Sequence, residues 1–208
     1  MIVLGIDPGS HVTGYAFLQQ DSAKSMIQVL EFGAIKAKAT DGLMARLGTI
    51  CDQLEPRIAL YAPQMVSMEA SFYSENARTA LVLGHARGAI MALCHRSRLG
   101  FCEFSPRSIK QAVTGSGAAS KDRVARMMQA HLRLADLPGS NDASDALAVA
   151  WTFLTQNTIA HNTPTTSKAP KLKLPSISTN TKGLVANALP PGVDIQSLLM
   201  GTRKRKKR

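Results

Sequence analysis

Residues Ile2 to Ile6 of the opening stretch MIVLGIDPGS are apolar or small, and the run stops at Asp7 with Pro8 and Gly9 directly behind it. An apolar run of that length, bounded by turn residues, reads as a buried strand. Proline holds φ and glycine frees it, so the chain turns immediately after the carboxylate. A charge at the mouth of a core is costly unless something pairs with it. Whatever this chain folds into must bring a partner to Asp7.

The pattern downstream supplies a frame for that strand. VTGYAFLQQ follows the Pro-Gly turn, and SMIQVLEFGAI follows a polar turn at residues 21–24. Short turns between these three strands imply an antiparallel meander. A helix is expected from about Asp41 to Leu54, capped by Thr40, with Leu43, Leu47, Ile50, Cys51 and Leu54 on one face. PQMVSMEA reads as a fourth strand ending at Glu69, and Ser74 is placed to cap a long helix to about Arg98. FCEF is a fifth strand, after which Ser105-Pro106 opens a short helix in the favoured cap-then-proline order. Beyond the loop TGSGAASK, a helix capped near Ser120 carries Val124, Met127, Met128, His131 and Leu132 on one face. GSNDASDALAVAWTFL starts a last helix at Ser140 or Asn141, running to about Leu154. An antiparallel start followed by alternating units predicts an α/β fold. Its expected form is a mixed five-stranded sheet, the first three strands antiparallel, with helices on both faces.

Composition narrows the class. The 208 residues (22.3 kDa) suffice for one well-packed domain with an appendage, and a mean hydropathy of -0.03 suits a globular protein. No run approaches the roughly 18 apolar residues of a membrane-spanning helix. The N-terminus shows no basic-then-apolar leader of secretory length, so a cytoplasmic protein with no membrane partner is expected. Cys51, Cys94 and Cys102 form a sparse, odd set without metal-ligand spacing, which reads as free thiols in a reducing compartment.

The net charge of +11 is unevenly spread. Residues 78–133 hold ten Lys/Arg against Glu103 and Asp122, while the flanking stretches 1–77 and 134–156 are each net negative. A positive segment of that size points to a polyanion partner. Residues 157–208 carry ten further Lys/Arg and a single acid, Asp194, in a Thr-, Ser-, Pro- and Lys-rich composition. The chain is therefore divided into a globular body over 1–156 and a disordered basic extension over 157–208.

Four acids stand out by position. Asp7 and Glu69 each end an apolar strand, at the rim where α/β sheets place their sites. Asp142 and Asp145 are three apart at a helix start and share a face. By themselves the last two also serve as favourable first-turn acids, and Asp7 as a turn former. Four carboxylates about 5 Å apart at one rim would repel by roughly 3 kcal/mol per pair at an effective dielectric near 20. Divalent cations relieve that repulsion, and all-oxygen ligation selects magnesium or manganese over zinc. Two such ions suit in-line attack on a phosphodiester, with the basic segment holding the polyanion against the site.

GIDPGSHVTGYAF, SMEASFYSENARTALVLGHARGAI, EFSPRSIKQAVTGSGAASK and NDASDALAVA together closely resemble the RuvC family of Holliday junction resolvases, in order and spacing over about residues 1–155. The resemblance implies a ribonuclease-H-like fold, a homodimer, and Mg²⁺-dependent nicking (Mn²⁺ also serving) with two ions per site. Two opposed strands of a four-way junction are then cut, leaving 5′-phosphate and 3′-hydroxyl ends, in homologous recombination and DNA repair. It assigns Asp7, Glu69, Asp142 and Asp145 as catalytic metal ligands. Lys110 and Lys121 match basic residues close to the scissile phosphate, and Arg123 belongs to the same DNA-binding set. Phe72 matches an aromatic that stacks on a junction base, with Tyr73 beside it. A cytoplasmic, nucleoid-associated protein of bacterial type follows.

Two rival readings compete on the sequence. An ATPase of the actin, Hsp70 and sugar-kinase class also begins with a strand and an Asp-Gly turn, but it needs a second such lobe, and no second copy is present. A non-catalytic junction binder would have no need of all four acids. The chain departs from the family in its extension. RKRKKR (Arg203–Arg208) reads as a non-specific DNA tether, and the apolar island Leu189–Met200 as a docking segment for a branch-migration motor or for the chain's own body.

Overall fold

The computed structural model describes residues 1–21, 26–70, 76–136 and 140–160, the last four without side chains. At its centre is β1 (Ile2–Asp7), hydrogen-bonded on one side to β2 (Val12–Gln20) and on the other to β4 (Met65–Glu69). β3 (Ile27–Lys36) and β5 (Gly100–Phe104) form the edges, giving the order β3-β2-β1-β4-β5. The first three strands are antiparallel, and β4 and β5 run parallel to β1. The mixed five-stranded sheet expected from the sequence is thus present.

Alternation along β1 decides what each face meets. Leu4 and Ile6 pack with Ile50, Leu54 and Ile58 of α1 (Leu43–Tyr61) and Ile90 and Leu93 of α2 (Ala77–Arg96). Val3 points the other way, into a core built by α3 (Pro106–Thr114), α4 (Lys121–Leu132) and α5 (Asn141–Ala160). Helices therefore cover both faces. α5 packs on β1, β2 and β4 as well as on α3 and α4, and its run from Ala146 to Ala150 is wholly buried. A helix surrounded in this way must be apolar all round, and the sequence ALAVA meets that demand.

Three boundaries differ from the sequence expectation. α1 starts at Leu43 behind Gly42, with no side-chain cap, and continues through Pro56 to Tyr61. An internal proline costs about 3 kcal/mol, yet buried Leu54 and Ile58 on either side anchor the helix through it. α2 is capped by Asn76, whose side chain accepts from the N–H groups of Arg78 and Thr79. Ser74, expected in that role, lies outside the described residues. α5 extends to Ala160, past the Leu154 at which the apolar pattern fades. Ser105 and Ser120 cap as expected, accepting from Ser108 N–H and Arg123 N–H, and α5 starts at Asn141 behind Ser140, whose hydroxyl accepts from Ala143 N–H.

Cys51, Cys94 and Cys102 are free thiols. No helix among the described residues is long and apolar enough to cross a membrane. The basic extension lies outside the described residues apart from the backbone of 157–160.

Candidate active site

Asp7 and Glu69 end adjacent parallel strands. The register pairs Gly5 with Ser67 and Ile6 with Met68, so one step further sets Asp7 beside Glu69. Both carry odd numbers on strands whose odd residues meet α5: Ser67 donates to the Val149 carbonyl, 3.2 Å away. The two carboxylates therefore leave the sheet on the face that α5 covers.

The start of α5 is drawn to the same spot because two strand residues lack side chains. A Cβ on Gly5 would collide with the Ala146 carbonyl, and one on Gly14 with the Asp142 carbonyl. Gly14 is the residue paired with Asp7 across the β1–β2 ladder. The start of α5, with Asp142 in its first turn and Asp145 just beyond, thus presses directly against the strand end that bears Asp7. Behind Asp7 the turn is pinned by Thr13, fully buried, whose hydroxyl donates to the Gly9 carbonyl (2.6 Å) and accepts from the Gly9 N–H (3.3 Å).

The electrostatics reflect this convergence. Asp7 is pushed from 3.8 to about 7, first by burial and then by the charges of Glu69, Asp145 and Asp142. Glu69 is raised by burial and by Asp145, against the opposing pull of Lys121, Lys110 and Arg87. Lys121 is raised by Asp145, which its ammonium contacts at 3.2 Å. A cleft of 140 Å³ joins Glu69, Asp145, Lys110 and Lys121 over Ile109 and Val124. A larger cavity of 770 Å³, walled by Ile27, Val29, His131, Leu134 and Trp151, lies elsewhere and includes no acid. Charge and chemistry, not volume, single out the smaller one.

The donor set is all oxygen, with negative charge in excess, and so suits a hard divalent cation. Among the described residues, no three or more His, Cys, Asp or Glu side chains stand close enough together to hold a metal ion. The acids share a field across an open cleft, with the Lys121 ammonium as their nearest counter-charge.

Of the other residues picked out by sequence, Lys110 and Lys121 line the cleft. Arg123 is exposed in the first turn of α4. Phe72 and Tyr73 lie outside the described residues. One residue was missed. Arg87, within GHARGA on α2, donates from Nη1 to the Glu69 main-chain carbonyl at 2.6 Å and pairs through Nη2 with Glu103 of β5. Its signal is a single arginine set among the small residues of that stretch.

A ribonuclease-H-like sheet with acids at the ends of its first and fourth strands and at the start of its last helix defines an acid-cluster nuclease. Comparison with known proteins agrees. The family model described as crossover junction endodeoxyribonuclease RuvC matches residues 3–153. A protein of that name from Chlorobaculum parvum is 42% identical over 156 residues, covering 75% of this chain and 82% of its own. One from Halorhodospira halophila is 47% identical over 148 residues, covering 71% and 86%. The structure of Thermus thermophilus RuvC in complex with a Holliday junction substrate superposes with a TM-score of 0.72 at 26% identity, covering 77% of this chain and 96% of that one. The chain belongs to the RuvC family of crossover junction endodeoxyribonucleases, and is a nuclease that hydrolyses phosphodiester bonds in DNA. RuvC-family nucleases depend on a divalent metal.

Proposed function

We propose that this chain resolves four-way DNA junctions as a homodimer, each protomer nicking one of two opposed strands with Mg²⁺ held by Asp7, Glu69, Asp142 and Asp145. The observation that carries the reading is the convergence of strand end and helix start on Asp7, where burial and the charges of Glu69, Asp145 and Asp142 drive its carboxyl to about 7. A protein gains nothing from that repulsion unless cations relieve it. Two bound magnesium ions supply, at such a site, an activated water and support for the leaving 3′-oxygen.

The chain's own groups do the rest. Asp7 and Asp145 would help hold the cation in their ionised forms, and Lys121, which reaches Asp145 from the wall of the same cleft, is placed to meet the scissile phosphate. Lys110 faces the same cleft and Arg123 flanks it, holding the strand while the acids stay fixed by β1, β4 and α5. Phe72 and Tyr73 are assigned to stacking on an unpaired junction base, a contact worth about 1–3 kcal/mol per base. A near-two-fold junction matches an isologous dimer, which presents one site to each opposed strand. Residues 157–208 act as a separate basic extension: Arg203–Arg208 tethers DNA, and Leu189–Met200 is the segment for a branch-migration motor complex. The setting is the bacterial cytoplasm, at the nucleoid, in recombination and repair.

A synthetic four-way junction incubated with Mg²⁺ or with EDTA tests this. Paired symmetric nicks with ligatable ends are expected in Mg²⁺ alone; junction binding without nicks in Mg²⁺ would overturn it.

A further inference from the structure

The two faces of the sheet end differently where β1 stops. On the α3–α5 face lies the acid cleft. On the α1–α2 face a cavity of 580 Å³ opens beside the β1–β2 turn, walled by His11, Arg46, Arg78 and Thr79 with Val12 and Val82, and no Asp or Glu among the described residues lines it.

The charges there lack an acidic counterpart among the described residues. Arg46 Nε is shut off from solvent and has no hydrogen-bond partner among the described residues. Its Nη1 lies against the His11 ring, 3.0 Å from Nδ1. Leaving a buried donor of this kind unpaired is destabilising. Neither Arg46 nor Arg78 enters any of the ion pairs formed among the described residues. The positive end of the 20-residue helix α2 faces the same space, with no acid in its first turn. Asn76 already occupies the N–H groups of Arg78 and Thr79, so a ligand must be held by the arginine side chains within that field.

Two guanidinium groups, an unspent N–H and a helix dipole call for an oxyanion with several acceptor atoms. A phosphodiester supplies that, in the forked geometry arginine favours. Position supplies the source. Ser10 is three residues from Asp7 and so at most about 11 Å from it along the chain. A DNA strand crossing the end of β1 with its scissile phosphate at Asp7 passes from the Lys110–Lys121 cleft on one face to this cavity on the other. We propose that Arg46 and Arg78 grip a backbone phosphate of the cut strand, next to the scissile one, and so set how the strand lies across the acids. This inference rests on the junction-nuclease reading above.

The test uses the full chain in EDTA, where the junction is bound and not cut, with affinity followed by fluorescence anisotropy from about 50 to about 300 mM salt. R46Q and R78Q are each expected to weaken binding about tenfold and to flatten the log K against log[salt] slope by about 0.9. R46K keeps the charge and should keep the slope. Wild-type affinity and slope in both glutamine variants would overturn the proposal, as would an R46K slope as flat as that of R46Q. Should R46Q fail to fold, R78Q decides, because Arg78 is exposed on the helix surface. A titration with inorganic phosphate, followed through the His11 ring resonances, separates the other source: phosphate binding with an unchanged DNA slope in both variants marks a free-anion site and overturns the proposal. Nicking in Mg²⁺ is scored separately. An Arg46-dependent slope in a chain that never nicks would support this pocket and sink the nuclease reading.

Discussion

Lys121 Nζ lies 3.2 Å from Asp145 Oδ2, joining the first turn of α4 to the N-terminal part of α5, with the ammonium largely exposed and the carboxylate mostly covered. The pair does more than link two helices. The same ammonium pulls down the proton affinity of both Asp7 and Glu69, so in the cation-free protein it is the main counter-charge of the acid cluster.

Lys121→Met is therefore expected to lower junction cleavage on the order of 10²-fold, as loss of one charge-stabilising donor does. The acidic limb of the pH–rate profile should move upward, because Asp7 and Glu69 lose a cation that favours their ionised forms. Single-turnover cleavage across pH 6 to 9 measures both, and an unmoved limb would separate Lys121 from the acids.

Asp7→Asn should abolish cleavage while leaving junction binding intact. Its stability signature has a definite sign. Asp7 holds its proton more tightly in the folded chain, at about 7 against an ordinary 3.8. That favourable contribution is complete below the unfolded value and is lost as the pH climbs from about 4 through 7. In EDTA the wild type should lose stability across that window. The variant should lose less, and stand above it at pH 8 by on the order of 2 kcal/mol once solvent screening is allowed for. Urea titrations at pH 5 and pH 8 provide the check.

Arg87→Met removes the donor on the Glu69 carbonyl and the partner of Glu103. A loss of about 1–3 kcal/mol is expected from the acceptors left behind. Because Arg87 also opposes the upward push on Glu69, the acidic limb of cleavage should rise in pH. Arg87→Lys, which keeps the charge without the fork, should restore the limb more fully than the stability.

Gly14→Ala places a methyl group against the Asp142 carbonyl. Overpacking of this sort costs about 1–3 kcal/mol, and the strain falls on the helix start that carries two of the four acids. Cleavage should fall further than stability does. A variant that melts like the wild type and cuts at full rate would show that α5 has room to retreat.

Deleting Arg203–Arg208 should weaken binding to junction and to plain duplex alike, and flatten the salt dependence by about 0.9 for each phosphate the segment engages. An unchanged slope would remove the tether from the account.

Much of the fold was legible because hydrophobic periodicity is a local signal. The run ending at Asp7, the Ser105-Pro106 and Ser120 caps and the apolar length of the last helix each state their own structure. Helix α1 was read short at Leu54, since Pro56 is a local stop sign that only the burial of Leu54 and Ile58 overrules. Thr40 and Ser74 were read as caps by residue type, whereas the helices begin behind Gly42 and Asn76. A cap depends on where the packed face starts, which propensity does not report.

The four acids could be picked out in the chain by the rule that sites gather at strand ends and helix starts. Sequence alone determined the strand order of types, the residue classes at the rim, and the basic segment that would face a polyanion. Tertiary structure decided which side of the sheet the acids share, because pleating and the side-chain-free surfaces of Gly5 and Gly14 bring α5 down onto that side. It also decided that Arg87 braces Glu69 and that Arg46 and Arg78 meet beside the turn after Asp7. Those relations join residues distant along the chain, and contact energy between them leaves no periodic trace in the sequence.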